Sequence, residues 1–245
     1  MSNRRSGKAS DAETGSPDAD FTAFRAALRR FKREGCNLLV VGDAPREVFT
    51  RASATMLGDP DTPRWRVFAL TDASPESVNE RLPTTDSTPR PLSETTRIVN
   101  HAIPPRPITD TAGTAVVTVP EVTVGDVNLE GFETELCEAV AEFGARSNGP
   151  AQVRVAVDSL APLLDHYDCE VVRRRLREVG QRVRDHDAMA HYVLPEAYDG
   201  DRCRRLADEF DAVVELRTPA EDADHAAEER WHLPEADGTM PWVPL

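Results

Sequence analysis

The segment Val153–Val157 reads Val-Arg-Val-Ala-Val and closes on Asp158-Ser159. Apolar residues at nearly every position, rather than at alternate ones, belong to a strand covered on both faces. Similar runs recur at Asn37–Val41, Arg64–Leu70, Met189–Leu194 and Ala212–Leu216, with shorter strands read at Arg97–His101 and Ala115–Val119. Between them apolar residues fall at helical spacing. Asp20 caps a helix through Phe21, Phe24, Leu28 and Phe31 that stops at Gly35, and a helix over residues 45–57 starts with Pro45 and ends before Gly58. Leu129, Phe132, Leu136, Val140 and Phe143 mark a helix from Asn128 or Leu129 to Ala145, and Val172, Leu176, Val179 and Val183 mark one over Asp168–Arg184. Shorter helices are predicted at Pro75–Leu82, Leu160–Leu164 and Asp201–Phe210. Doubly covered strands alternating with helices predict a three-layer α/β/α sandwich with a mostly parallel sheet.

At 245 residues, one such domain with tails is the expected organisation. Residues 1–19, rich in Ser, Asp and Gly, read as a disordered tail, and residues 20–217 as the α/β domain. Within the domain, residues 83–112 carry six prolines and read as an irregular connection around the Arg97–His101 strand. Residues 218–245 form an acidic, then tryptophan-containing tail with little helical pattern. Its Trp231, Trp242 and Val243 are expected to pack back on the sheet edge or a helix face, or else on a partner. There is no internal repeat.

Acids number 43 against 29 bases, for a net charge of −14, and the lysines are Lys8 and Lys32 alone. Self-repulsion of this size is strongly screened at molar salt, where the Debye length is about 3 Å. The composition therefore reads as halophilic; an acidic protein of a GC-rich genome is the alternative. No run approaches the ~20 apolar residues of a membrane span, and the N-terminus has no apolar signal segment. A cytoplasmic protein without membrane attachment is expected. Cys36, Cys137, Cys169 and Cys203 form no C-x-x-C pair and read as small hydrophobes rather than metal or redox ligands.

In parallel sheets, ligands bind outside the carboxyl ends of the strands. Gly42–Phe49, Asp72 and Asp158–Ser159 are placed at such ends. Val153–Ser159 resembles the Walker B strand of the RecA superfamily. Arg66–Glu76 resembles the strand leading into the tandem glutamates of its KaiC-like branch, and Gly180–Leu216 its final helix–strand–helix–strand. The chain is also similar to a group of uncharacterised haloarchaeal proteins with a reduced RecA-like domain. The resemblance covers residues 35–217 and implies a RecA-like sheet that once served ATP and Mg²⁺.

The phosphate loop departs from that pattern. On G-x-x-x-x-G-K-[ST] the opening Gly42 is kept, but Glu47, Val48 and Phe49 stand for the closing Gly, Lys and Ser/Thr. Neither Val48 nor Phe49 can hold phosphate or Mg²⁺. If Glu47 faced a phosphate 4 Å away, the repulsion would be about 4 kcal/mol at an effective dielectric of 20, roughly a thousandfold in affinity. The tandem carboxylates become Asp72 and Ala73. Asp158 and Asp72 are vestigial catalytic candidates, and Gly42, Glu47, Val48, Phe49 and Ser159 mark the vestigial nucleotide position. The plainer reading of Asp158-Ser159, preferred here, is a cap on the following turn.

These residues imply a pseudo-enzyme. The expectation is a degenerate RecA/KaiC-like regulatory or protein-interaction module with no cofactor and no metal. The alternative is a residual nucleotide binder or weak ATPase that uses Asp158, Asp72 and an arginine, Arg46 or Arg51, with ATP and Mg²⁺. Arg173, Arg174, Arg175, Arg177, Arg182 and Arg184 resemble a nucleic-acid face. In so acidic a chain they read instead as a solvated face balanced by nearby acids, and nucleic acid is not an expected partner. His186 and His191 lack ligand spacing and read as surface or core histidines.

Overall fold

The structure, a computed structural model, describes residues 17–59, 61–71, 80–82, 90–101, 119–126, 128–219, 225–234 and 240–245. Its strands are β1 (Cys36–Asp43), β2 (Trp65–Leu70), β3 (Thr96–His101), β4 (Glu121–Val124), β5 (Val153–Val157), β6 (Met189–Leu194), β7 (Ala212–Arg217), β8 (Glu228–His232) and β9 (Val243–Pro244). Its helices are α1 (Pro17–Glu34), α2 (Arg46–Met56), α3 (Leu92–Thr95), α4 (Glu130–Arg146), α5 (Ala161–His166), α6 (Cys169–Asp185) and α7 (Asp201–Leu206), the last running into a 3₁₀ turn at Ala207–Glu209.

All six residues of β2 and all five of β5 are buried, as strands between two helical layers must be. The strands join in one sheet of order β4-β3-β2-β5-β6-β1-β7-β8-β9. Every pairing from β4 to β7 is parallel; β8 and β9 add antiparallel pairs at the far edge. Alternation along each strand sorts the core by layer. Leu39, Val67, Val155 and Tyr192 point into the larger cluster under α4 and α6, while Val40 and Val193 point the other way, toward Phe49 and Ala52 of α2. Cys36 and Leu38 meet Phe31 of α1 on that second face. The molecule is thus the three-layer α/β/α sandwich expected from the runs. Among the described residues no helix is long and apolar enough to cross a membrane.

Several boundaries move. Helix α1 begins at Pro17, so Asp20 lies inside its first turn instead of capping it, and residues 17–19 are helical rather than part of a tail. Asp168 does cap α6, its carboxylate accepting the Glu170 N–H at 2.8 Å. The irregular connection contains α3, and β3 is an inner strand paired on both sides. Residues 115–118 of the predicted Ala115–Val119 strand, residues 75–79 of the predicted Pro75–Leu82 helix, and residues 1–16 lie outside the described residues; Arg81 of that segment is in a turn.

The C-terminal segment is not a separate tail. Strand β8 pairs with β7 from Val213↔His232 to Arg217↔Glu228. Trp231 packs against α1, 5.5 Å from the Phe24 ring, and Trp242 lies beneath the guanidinium groups of Arg217 (4.0 Å) and Arg230 (4.4 Å). Cys36 and Cys203 are buried, Cys137 and Cys169 half-buried, and all are free thiols.

Candidate functional site

At the carboxyl ends of β1 and β5, Ala44, Arg46, Phe49, Arg81, Asp158 and Val193 border a cleft of about 140 Å³. Strand β6 lies between β1 and β5, so their ends stand two strand spacings apart, about 10 Å. The turn after β1 is committed to packing. Gly42 has φ 146°, and a Cβ there would stand 2.0 Å from the Leu216 carbonyl oxygen on β7. That close approach demands glycine. Its N–H donates to the Glu196 carbonyl at 2.8 Å.

Helix α2 brings Arg46 and Phe49 to the cleft. Phe49 is 3% exposed and packs with Val40, Val193, Val214 and Leu216. A phenylalanine so buried contributes about 1.5–3 kcal/mol through area alone. Val48 leans on the same cluster. Glu47 is exposed and does not border the cleft. The repulsion expected of Glu47 therefore does not act in the cleft, and Phe49, at the Ser/Thr position of the pattern, packs into the core.

Asp158 and Ser159 are 6% and 5% exposed. Asp158 Oδ1 accepts the Thr71 N–H at 2.7 Å and lies 3.1 Å from the Thr71 hydroxyl, which also reaches the Ser159 carbonyl. The carboxylate thus ties the end of β5 to the end of β2. Leu160 holds the N-cap position of α5 without a side-chain cap, and Ser159 Oγ, one residue earlier, accepts the Ala161 N–H at 3.3 Å. Of the expected contacts with the following turn, Ser159 makes one, while the Asp158 carboxylate accepts from Thr71 at the end of β2. Asp72 and Ala73 lie outside the described residues. Arg51 donates to the Leu245 carbonyl at 3.0 Å and does not border the cleft; Arg46 does.

Sequence reading missed the cation on this cleft, Arg81. It is 4% exposed, and its Nε and Nη1 are buried without a hydrogen-bond partner. Burial lowers its pKa, Asp158 opposing. Nearby His191 is wholly enclosed, its Nε2 2.8 Å from Ser53 Oγ. Burial first, then Arg81 and Arg154, holds this imidazole down at about 3, so it is neutral. His186 is half-buried. Among the described residues no three His, Cys, Asp or Glu side chains are placed to hold a metal ion.

The cleft does not fit a nucleotide with Mg²⁺. Small-molecule sites run to roughly 300–1,000 Å³, against about 140 Å³ here. Among the described residues, the carboxylate on the cleft, Asp158, accepts from Thr71.

The arginine run of α6 is largely engaged by acids. Arg173 and Arg177 meet Glu209 at 2.9 and 2.8 Å, Arg175 meets Glu133 at 2.7 Å, and Arg184 lies 3.4 Å from Asp211. On a nucleic-acid face these charges would be offered to phosphates instead.

Compared with known proteins, residues 35–216 match a family described as "Family of unknown function (DUF7504)". No curated protein matches the chain.

Proposed function

The chain belongs to this family of unknown function, and we propose for it a non-catalytic role: a degenerate RecA/KaiC-like domain that serves as a regulatory or protein-interaction module in the cytoplasm of a halophile. The burial of Phe49 carries this reading. Its ring is built into the core at the position where the resembled fold places a phosphate-loop Ser/Thr. The RecA-like part is supported by sheet order, since β5, which resembles the Walker B strand, and β1, which leads into the loop laid on the phosphate-loop pattern, lie one strand apart in the parallel part of the sheet and share a cleft. The pseudo-enzyme part is supported by the small cleft and by the tie between Asp158 and Thr71. The ion pairs along α6 weigh against a nucleic-acid role.

One observation favours the second reading, a residual anion or nucleotide binder. Arg81 brings to the same cleft a buried guanidinium whose Nε and Nη1 have no hydrogen-bond partner among the described residues, with Arg46 also on its lining. Isothermal titration of ATP with Mg²⁺ into the full chain at molar KCl separates the two. No saturable heat is expected. A dissociation constant of tens of micromolar or tighter, lost in Asp158→Ala and Arg81→Gln, would replace the pseudo-enzyme by the nucleotide binder. Capture of partners from the native host at high salt then tests the interaction role directly.

A further inference from the structure

The inner face of the sheet opposite α4 and α6 is unexpectedly basic. Arg66 on β2 and Arg154 on β5 are register partners, and both are buried, at 2% and 8% exposure. Arg154 is satisfied by backbone, donating to the carbonyls of Ala151 (2.9 Å) and Met56 (3.2 Å). Arg64 also donates to the Ala151 carbonyl, at 3.0 Å. Arg66 differs, for its Nε and Nη2 are buried and have no hydrogen-bond partner. Burial, with Arg64 adding repulsion, lowers its pKa to about 10. An interior guanidinium with unmade hydrogen bonds is costly and is retained only where something compensates it.

Arg66 is one of the residues lining a pocket of about 160 Å³ at the amino ends of β2 and β5. Six residues of β2 separate this end from the Asp158 cleft, about 20 Å along the strand. Arg64, Arg66, Arg90 and Arg146 all line the pocket, with Thr95 and Gln152, and no acid lines it among the described residues. The rim cations are held in place by an aromatic floor: Arg146 sits 4.3 Å and Arg90 5.5 Å from the Trp65 ring centroid. The nearby acids act from outside. Glu142 is 3.4 Å from Arg146, and Asp59 acts on Arg64. In a chain of net charge −14, four guanidinium groups around one cavity are a local reversal of sign.

We propose that this pocket is a binding site for a small phosphate-class oxyanion, with Arg66 as its buried anchor and Arg64, Arg90 and Arg146 as its rim. Planar N–H forks match the oxygens of phosphate in pairs. A carboxylate would offset one of the four charges, whereas a phosphate dianion offsets two and has oxygens for several forks. Size sets the upper limit. A cavity of about 150 Å³ accommodates benzene, so inorganic phosphate or the phosphate of a short monoester fits and a whole nucleotide does not. The site is independent of the cleft at the opposite edge.

The test is titration of the full chain at constant ionic strength, with inorganic phosphate replacing KCl. A rising melting temperature and a saturable single-site heat are expected. Glycerol phosphate in a parallel titration identifies the source: tighter binding than inorganic phosphate points to a monoester, equal or weaker binding to the free anion. Arg66→Met should weaken phosphate binding by about ten- to a hundredfold, the loss of charge-assisted hydrogen bonds. It should leave the phosphate-free melting temperature unchanged or higher, since an unpartnered buried charge is gone. If that variant fails to fold, the exposed pair Arg90→Gln and Arg146→Gln supplies the same readout. Phosphate that acts no differently from KCl, or binding that survives both sets of substitutions, overturns the assignment. Asp158→Ala should not change phosphate binding, which keeps the outcome separate from the fate of the pseudo-enzyme reading.

Discussion

Restoring the phosphate-loop residues should harm this protein before it helps it bind anything. The perturbation is Glu47→Gly, Val48→Lys and Phe49→Thr, made singly and together. Glu47 is exposed, so its change is limited to lost helix propensity and a lost first-turn acid, about 1–2 kcal/mol together. Phe49 is 3% exposed against Val40, Val193, Val214 and Leu216. Cutting a buried phenylalanine down to a small residue typically costs about 3–5 kcal/mol, and the new hydroxyl needs a partner that this apolar cluster does not supply. Against a domain stability of roughly 5–15 kcal/mol, that is a large share. At about 2–4 °C per kcal/mol for a domain of this size, Phe49→Thr alone should lower the melting temperature by about 6–20 °C. Circular dichroism melts at molar KCl measure it, and titration with ATP and Mg²⁺ on the triple variant measures any recovered binding. A Phe49→Thr protein that melts within about 3 °C of the parent would refute the claim that the ring is part of the core. Tight ATP binding by the triple variant would show that the loop had kept its phosphate geometry.

Asp158→Ala removes the acceptor of the Thr71 N–H, while the Thr71 hydroxyl keeps the Ser159 carbonyl, and should cost about 1–3 kcal/mol, whereas Ser159→Ala removes one hydrogen bond at the start of α5 and should cost about 0.5–1.5 kcal/mol; a smaller loss at Asp158 than at Ser159 in denaturant titrations would contradict the strand tie. His191 is held neutral with a pKa near 3, against about 6.5 when unfolded. The unfolded chain therefore takes up the proton first, and His191's contribution to stability is intact above pH 6.5 and lost as pH falls toward 3, at up to about 1.4 kcal/mol per pH unit. His191→Gln should accordingly lose less melting temperature than the parent between pH 7.5 and 5.0. Deleting residues 230–245 removes Trp231 from α1 and most of the β8 pairing, and should lower both the melting temperature and solubility; unchanged melting and elution would count against this edge being part of the core. With net charge −14, lowering KCl from molar to tens of millimolar should lower the melting temperature, and a flat or opposite salt series would argue against the halophile reading.

The middle of the sheet was readable because physics leaves little choice there. A parallel strand between two helical layers must be apolar on both sides, and Val153–Val157 and Met189–Leu194 have the ends predicted for them. The edges were not readable on the same grounds. Strand β8 is Glu-Glu-Arg-Trp-His, with all five residues half-buried, and β4 is Glu-Val-Thr-Val at the opposite margin. Such strands are specified by the neighbour they pair with, and that neighbour is chosen by tertiary structure. Their own sequence reads as a polar tail or a loop.

The site was less legible than the fold, and for a different reason. The resemblance directed attention to positions 47–49, where the chain does not meet the phosphate-loop pattern. It could not say what Phe49 did instead, because burial against Val40 and Val214 joins residues far apart in the chain. The cations had a local signal that went unread. In Val-Arg-Val-Ala-Val the arginine stands at a position that the two-faced burial rule reserves for apolar residues, and Arg66 stands in the same relation to Trp65, Val67 and Phe68. A charge in such a place is either paired, neutralised or aimed at a ligand. Arg154 meets two carbonyls and is accounted for. Arg66 and Arg81 have no such partners for two of their nitrogens each, and they stand at opposite edges of the sheet, one on each pocket. Packing of the sheet requires neither charge. Two such charges buried inside an acidic protein are the physical ground on which the proposed anion site rests.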